Sequence, residues 1–252
     1  MENVKINISA GGVFSKFMFG IQNAEALNPE ISNFYFNNVD NRAKSNNFSQ
    51  NPFDFVINQN YNNNYIDFNA IHLGNYSKFN PIEHSNKLNN FKKIITKIKL
   101  TDKLSNLVKD YEKQIQFTQN TVGIHIRLCD MNIVHGKDYG VLQYQDFDNC
   151  LKQTINEKSK IFVASDNMQS IEKLKEQYGD RIFYIPNMIR ASTEVEDTTH
   201  FQEKLLGSES IWLESFLEML LLSKCQTLIC RSSNLANASI IFSNTMEKVI
   251  RL

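Results

Sequence analysis

TVGIHIR, residues 121–127, opens the most regular part of the chain, and its reading decides the fold. The run reads as a strand, and alternation puts His125 and Arg127 on one face and Ile124 and Ile126 on the other. Three further runs follow: KIFVAS (160–165), RIFYI (181–185, stopped by Pro186) and QTLIC (226–230). Between them lie segments that read as helices: Tyr144 to about Glu157, a stretch after Asp166-Asn167 to about Tyr178, and residues 209–224. A long polar loop runs to Gly207, and a last helix starts near Asn234. Strands alternating with helices predict a parallel sheet covered on both faces.

Working back towards the start, Val4, Ile6 and Ile8 alternate with polar residues as in a short strand. Gly11-Gly12 makes a turn, and Phe14, Phe17, Met18 and Ile21 fall at helical spacing up to about Leu27, before Pro29. Residues 28–90 are dense in Asn, Phe and Tyr and read as loops and short strands. Leu88, Phe91, Ile94, Ile95 and Ile98 form one apolar stripe, and Thr101-Asp102 can cap a second helix carrying Leu104, Leu107, Val108 and Tyr111. The expected division is a short, Asn-rich half over 1–118 and a regular α/β half over 119–252.

Lys+Arg 27 balances Asp+Glu 27, which argues against a nucleic-acid partner. An anionic ligand must then be held by a few placed groups rather than by a broad field. Cys129, Cys150, Cys225 and Cys230 show neither C-x-x-C pairing nor metal-ligand spacing, as expected of reduced thiols in the cytoplasm. No basic n-region with an apolar h-region opens the sequence, so no signal peptide is expected. The apolar run Phe216–Leu222 is interrupted by Glu218 and is too short to span a bilayer, so no transmembrane segment is expected. The expected location is cytoplasmic, with peripheral attachment to a membrane glycan-assembly system as the other option.

In an open parallel sheet, ligands bind outside the carboxyl ends of the strands. Those ends carry His125, Arg127 and Asp130; Ser165, Asp166 and Asn167; and Arg231, Ser232 and Ser233. Each has a plain structural role beside a functional one. Arg127 can pair with Asp130, or its planar guanidinium can grip a phosphate through two bonds. His125 can be a hydrogen-bonded core residue, Asp166 a helix cap, and Ser232-Ser233 a cap for the last helix. A helix start with two hydroxyls also suits a pyrophosphate, because free N–H groups and the helix dipole face the anion.

Taken together, the three clusters resemble a family. Gly123-Ile124-His125-Ile126-Arg127-Leu128-Cys129-Asp130 looks like the H-x-R-x-x-D motif of GDP-fucose-dependent fucosyltransferases. That superfamily spans α1,2-, α1,6- and protein O-fucosyltransferases, including nodulation fucosyltransferase-like proteins. Phe162–Asn167 is similar to the second motif, a strand ending in Ser-Asp-Asn, and Leu228–Asn234 resembles the third, a strand running into a Ser-Ser pair. The resemblance covers residues 121–243. It implies a GT-B-like α/β fold of two Rossmann-like halves, the N-terminal one abbreviated. Residues 1–118 would form the acceptor side and 119–252 the nucleotide-sugar side. It implies an inverting transferase that uses a GDP-sugar donor and a glycan or other hydroxyl acceptor, with no cofactor and no metal.

By the same resemblance Arg127 would hold the donor's β-phosphate and stabilise charge on the departing GDP. His125, Asp130, Asp166, Ser232 and Ser233 would complete the donor site, and the Gly11-Gly12 turn would reach it from the other half. Three departures stand out: Leu128 where many relatives carry a second Arg, Ser15-Lys16 where the first loop usually has Asn-Gln, and the short N-terminal half. Lys16 is the candidate replacement for the missing positive charge. Glu25, Asp138 and His135 are alternative general bases. His72, His84, His135 and His200 are scattered, and neither a G-x-S-x-G nor a Walker A motif is present.

Overall fold

The computed structural model describes residues 3–8, 13–27, 33–38, 51–59, 65–69, 85–129, 132, 140–191 and 208–252. Near the start, β1 (Asn3–Ile8) pairs in parallel with β2 (Asn33–Asn38) and β3 (Tyr65–Asn69), in the order β2-β1-β3. Helix α1 (Val13–Leu27) follows β1. Val4, Ile6 and Ile8 are buried, as are Phe14, Phe17, Met18 and Ile21 of α1, so the alternating strand face meets the helical stripe. Gly20 permits the close approach of β2 to the same helix: a Cβ there would stand 2.8 Å from the Phe36 ring.

Two helices lead to the second sheet, α2 (Ser85–Ile95) and α3 (Asp102–Ile115). Thr101 caps α3 by accepting from the Leu104 amide at 3.4 Å, and Gln116 ends it in the left-handed region at φ 51°.

The second sheet is wholly parallel, with strand order β6-β5-β4-β7-β8. Its strands are β4 (Thr121–Ile126), β5 (Lys160–Ser165), β6 (Ile182–Phe183), β7 (Thr227–Cys230) and β8 (Lys248–Arg251). The helices are α4 (Tyr144–Thr154), α5 (Met168–Tyr178), α6 (Glu209–Leu222) and α7 (Asn234–Phe242). Every residue of β4 is buried, as a central strand covered on both faces requires. Gly123 sits where α6 ends on β4: a Cβ there would approach Cys225 Sγ to 2.9 Å and Leu222 Cδ2 to 3.0 Å. The mixed α/β architecture is therefore the one the strand–helix rhythm implies, with a smaller N-terminal sheet.

Several bounds differ from the sequence reading. α4 ends at Thr154, three residues before Glu157, because Ile155 turns extended. The run 181–185 contributes only the two residues of β6, after a 3-10 turn at Gly179–Arg181. β8 was not foreseen: KVIR is half-exposed at the sheet edge and lacks a strong apolar run. In the Asn-rich stretch lie β2, β3, a 3-10 turn at Pro52–Phe55 and the first turn of α2.

α6 joins the two sheets. Residues on all its sides are buried, including Ile211, Trp212, Phe216, Leu217, Glu218 and Leu221. Phe216 stacks on Phe14 at 5.1 Å and meets Phe17 edge-on at 5.0 Å, while Trp212 meets Phe53 at 4.9 Å. One apolar cluster consequently runs from Val4 and Phe36 through α6 to Leu228 and Ile241.

Candidate functional site

The carboxyl end of β4 carries His125, buried, with Nδ1 3.3 Å from Ser233 Oγ. Which of the two donates follows from the imidazole tautomer. Ser233 is also the N-cap of α7 and accepts from the Ala236 amide at 3.1 Å. Arg127 follows β4 and is half-buried. The next amide, Leu128 N–H, donates to Asp166 Oδ1 at 3.3 Å, tying the end of β4 to the end of β5. Leu128 itself is fully buried in the apolar layer with Phe147 and Leu151.

Asp166 does not cap α5. That role belongs to Asn167, whose side chain accepts from the Ser170 amide at 2.8 Å, leaving the Asp166 carboxylate turned to β4. Ser232 accepts from Arg251 Nη1 at 3.0 Å, and Arg251 Nη2 donates to Asn237 Oδ1 at 2.8 Å, so the unforeseen β8 supports the serine pair. Arg231 is buried and donates to Asn132 Oδ1 at 2.7 Å and to the Gly140 carbonyl. Asn132 in turn donates to the Leu142 carbonyl at 2.6 Å. Arg231 thus holds the chain beyond β4, a role its position at a strand end did not disclose.

The first turn of α1 completes the arrangement from the other sheet. Asn234 Nδ2 donates to Ser15 Oγ at 2.9 Å, bringing the starts of α1 and α7 together. Ser15 and Lys16 belong to α1 rather than to a loop before it, since the helix begins at Val13. Lys16 is 1% exposed, so its amine is reached only from inside the protein. Neither α1 nor α7 carries an acidic residue in its first turn, which is also true of α2 and α5, whereas α3, α4 and α6 carry Asp102, Asp146 and Glu209. No carboxylate in the first turn of either helix offsets the partial positive charge of its start, and at α7 the Ser233 hydroxyl accepts one of the amides.

Gly11, Gly12 and Asp130 lie outside the described residues, as do His72, His84, His135, Asp138 and His200. Glu25 is ten residues along α1 from Ser15, about 15 Å at the helical rise, and accepts from Asn90 of α2 at 3.0 Å. It belongs to the α1–α2 contact rather than to the strand ends. Among the described residues no group of three or more His, Cys, Asp or Glu could hold a metal ion, and no helix is long and apolar enough to cross a membrane.

Solved structures show the same architecture. NodZ α-1,6-fucosyltransferase soaked with GDP-fucose superposes with a TM-score of 0.59 at 10% identity, over 96% of this chain and 93% of that one. The chain has a fucosyltransferase fold. Fucosyltransferase NodZ from Bradyrhizobium gives a TM-score of 0.54 at 10% identity, covering 95% of this chain and 92% of that one. A point mutant of Arabidopsis thaliana FUT1 in complex with GDP gives 0.51 at 10% identity, over 98% of this chain and 70% of that one. No family model matches the sequence, and no curated protein matches it. Within this fold, of GT-B type, the Ser15–Asn234 bond joins the starts of the helices that follow β1 and β7.

Proposed function

We propose that the chain is an inverting glycosyltransferase that moves fucose from a GDP-sugar to a glycan or other hydroxyl acceptor, working in the cytoplasm without a metal. The observation that supports it most is the meeting of two acid-free helix starts, α1 and α7, through Ser15 and Asn234 beside the strand end that carries His125 and Arg127. In this reading the amide donors of those helix starts, their hydroxyls and the Arg127 guanidinium share the diphosphate. That NodZ, on the same fold, was soaked with GDP-fucose supports the choice of nucleotide.

In this reading residues 119–252 form the donor side and 1–118 the acceptor side. The acceptor oxygen attacks the anomeric carbon as the bond to the β-phosphate oxygen breaks, and the acceptor proton goes to a base. Arg127 stabilises the charge that collects on the leaving diphosphate, an effect worth roughly 3 kcal/mol of barrier. His125 and Ser233 orient one another beneath it, and Asp166 holds the Leu128 amide so that the peptide after Arg127 is fixed.

A second reading, a nucleotide-sugar-binding protein without transfer, is favoured by one observation. Leu128, where relatives carry a second Arg, is fully buried, so no charge can act from that position. Calorimetric titration with GDP, UDP and ADP, on wild type and Arg127→Ala, is the first test. Selective GDP binding lost in the variant supports a donor site, and no nucleotide binding sinks both readings. Turnover of GDP-fucose with an acceptor panel, with the product's anomeric configuration read by NMR, then separates transfer from binding. A retained configuration would overturn the inverting mechanism.

A further inference from the structure

Behind the strand ends, Arg190 ties three parts of the structure together. Its Nε donates to the Ser165 carbonyl at 3.0 Å, Nη1 to the Ile185 carbonyl at 3.0 Å, and Nη2 to Glu218 Oε1 of α6 at 2.9 Å. Both side chains are buried, at 3% and 7% exposure. The need for this fastening follows from the shortness of β6. It pairs with β5 only at Ile161↔Ile182 and Phe162↔Phe183, so the rest of β5 runs past it. There the segment 185–191 takes over: Ala191 N–H donates to the Asp166 carbonyl at 2.9 Å, and Met168 N–H donates to the Ala191 carbonyl at 3.0 Å. Asp166 is thus held from one side by this segment and from the other by the Leu128 amide.

We propose that Arg190 and Glu218 form a positioning pair for the donor site, clamping the end of β5 and the segment 185–191 against α6 and thereby setting, through Asp166 and Leu128, where Arg127 stands. The proposal rests on the donor-site reading above. A buried ion pair contributes little net stability compared with an apolar pair of the same size, so geometry is its better use. The rigid guanidinium fork reaches two carbonyls and a carboxylate at once, which a lysine amine on a flexible stem cannot do.

The pair is also poised to respond to pH. Burial pushes Glu218 up to about 7, Asp166 and Glu214 add to the rise, and Arg190 opposes it. Tyr111 of α3 faces Arg190 as well, and burial raises Glu214 too. As pH falls through about 7, Glu218 loses its charge and one arm of the clamp weakens. Stability moves the other way. A carboxyl raised above its unfolded value of 4.5 contributes stability that is present at low pH and lost as pH rises through about 7. Positioning and stability therefore have opposite signs.

The test combines GDP titration with hydrogen exchange on wild type, Arg190→Lys and Glu218→Gln at pH 6 and pH 8. The expected result for Arg190→Lys at pH 8 is about tenfold weaker GDP binding, the size of one lost charged hydrogen bond. Faster exchange is expected in the peptides holding Leu128 and Met168, with α4 as internal reference. Wild type should lose GDP affinity and local protection from pH 8 to pH 6, and Glu218→Gln should be weak at both. If Arg190→Lys binds GDP like wild type and its exchange is unchanged, the proposal is overturned. If wild type binds no GDP, the donor reading fails and exchange alone decides. If Arg190→Lys does not fold, Glu218→Gln decides, and GDP affinity and Leu128 protection equal to wild type at pH 8 would sink the clamp.

Discussion

Ser233 has two readings that a single substitution separates. It caps α7 through the Ala236 amide at 3.1 Å and faces His125 at 3.3 Å, and the donor-site reading gives the same hydroxyl a place beside the pyrophosphate. Ser233→Ala removes both visible bonds. Losing the cap costs about 1 kcal/mol, and losing the buried hydrogen bond costs about 1 kcal/mol more. For a chain of this size about 2 kcal/mol lowers the melting temperature by roughly 4–8 °C. Ser233→Asp keeps an acceptor for the Ala236 amide and places a carboxylate at a helix start, where the dipole favours it. Its melting temperature should lie above that of Ser233→Ala. A diphosphate about 5 Å away would be repelled by about 3 kcal/mol per unit charge at an effective dielectric of about 20, more than a hundredfold in affinity. The assay is paired calorimetry, thermal scans and GDP titrations on the same samples. A Ser233→Asp protein that binds GDP as tightly as wild type would show that the serine only caps a helix and that the diphosphate lies elsewhere.

Arg127→Ala should reduce transfer by about a hundredfold or more with little change in melting, because the side chain is half-buried at a strand end; steady-state kinetics on GDP-fucose checks this. Gly123→Ala puts a methyl 2.9 Å from Cys225 Sγ and should cost about 1–3 kcal/mol, read by urea unfolding, with GDP affinity unchanged in the folded protein. Asp148 of α4 is raised by burial, but bonds from Lys152 and Tyr178 outweigh this and hold its carboxyl below the ordinary 3.8. A depressed native value means the stabilisation is present above 3.8 and lost as pH falls below it, so Asp148→Asn should flatten the acid limb of an unfolding curve recorded below pH 4.

What the sequence disclosed follows burial and rhythm. β4, β5 and β7 are buried apolar runs ending in polar clusters, so both their strand character and the chemistry at their ends could be read. β8 escaped because an edge strand needs only one covered face, and its Lys248 and Arg251 broke the pattern. Asp166 and Asn167 are both good caps for α5, so the sequence leaves the cap open, and only the Asp166–Leu128 bond, made across the sheet, shows which is diverted. Asn234 and Arg190 could not be assigned at all, since their partners Ser15 and Glu218 lie 219 and 28 residues away. Glu218 did leave one signal, a lone charge inside an apolar helix, which asks for a buried partner.

The aromatic packing around α6 bears on how such a site is held ready. Phe216 touches both Phe14 and Phe17 of α1, Trp212 touches Phe53 and stacks on Phe216 at 6.3 Å, and Phe17 also reaches Phe242 of α7. Each such pair is worth about 0.5–1.5 kcal/mol beyond the area it buries, so moving α1 away from α7 would sacrifice several kcal/mol. The Ser15–Asn234 bond alone could not fix the two helix starts, since one neutral hydrogen bond contributes only about 1 kcal/mol net. The apolar layer beneath it supplies the rigidity, and the polar contact sets the register. An anion placed between α1 and α7 therefore meets amide groups already in position, and little binding energy is spent on bringing the two sheets together.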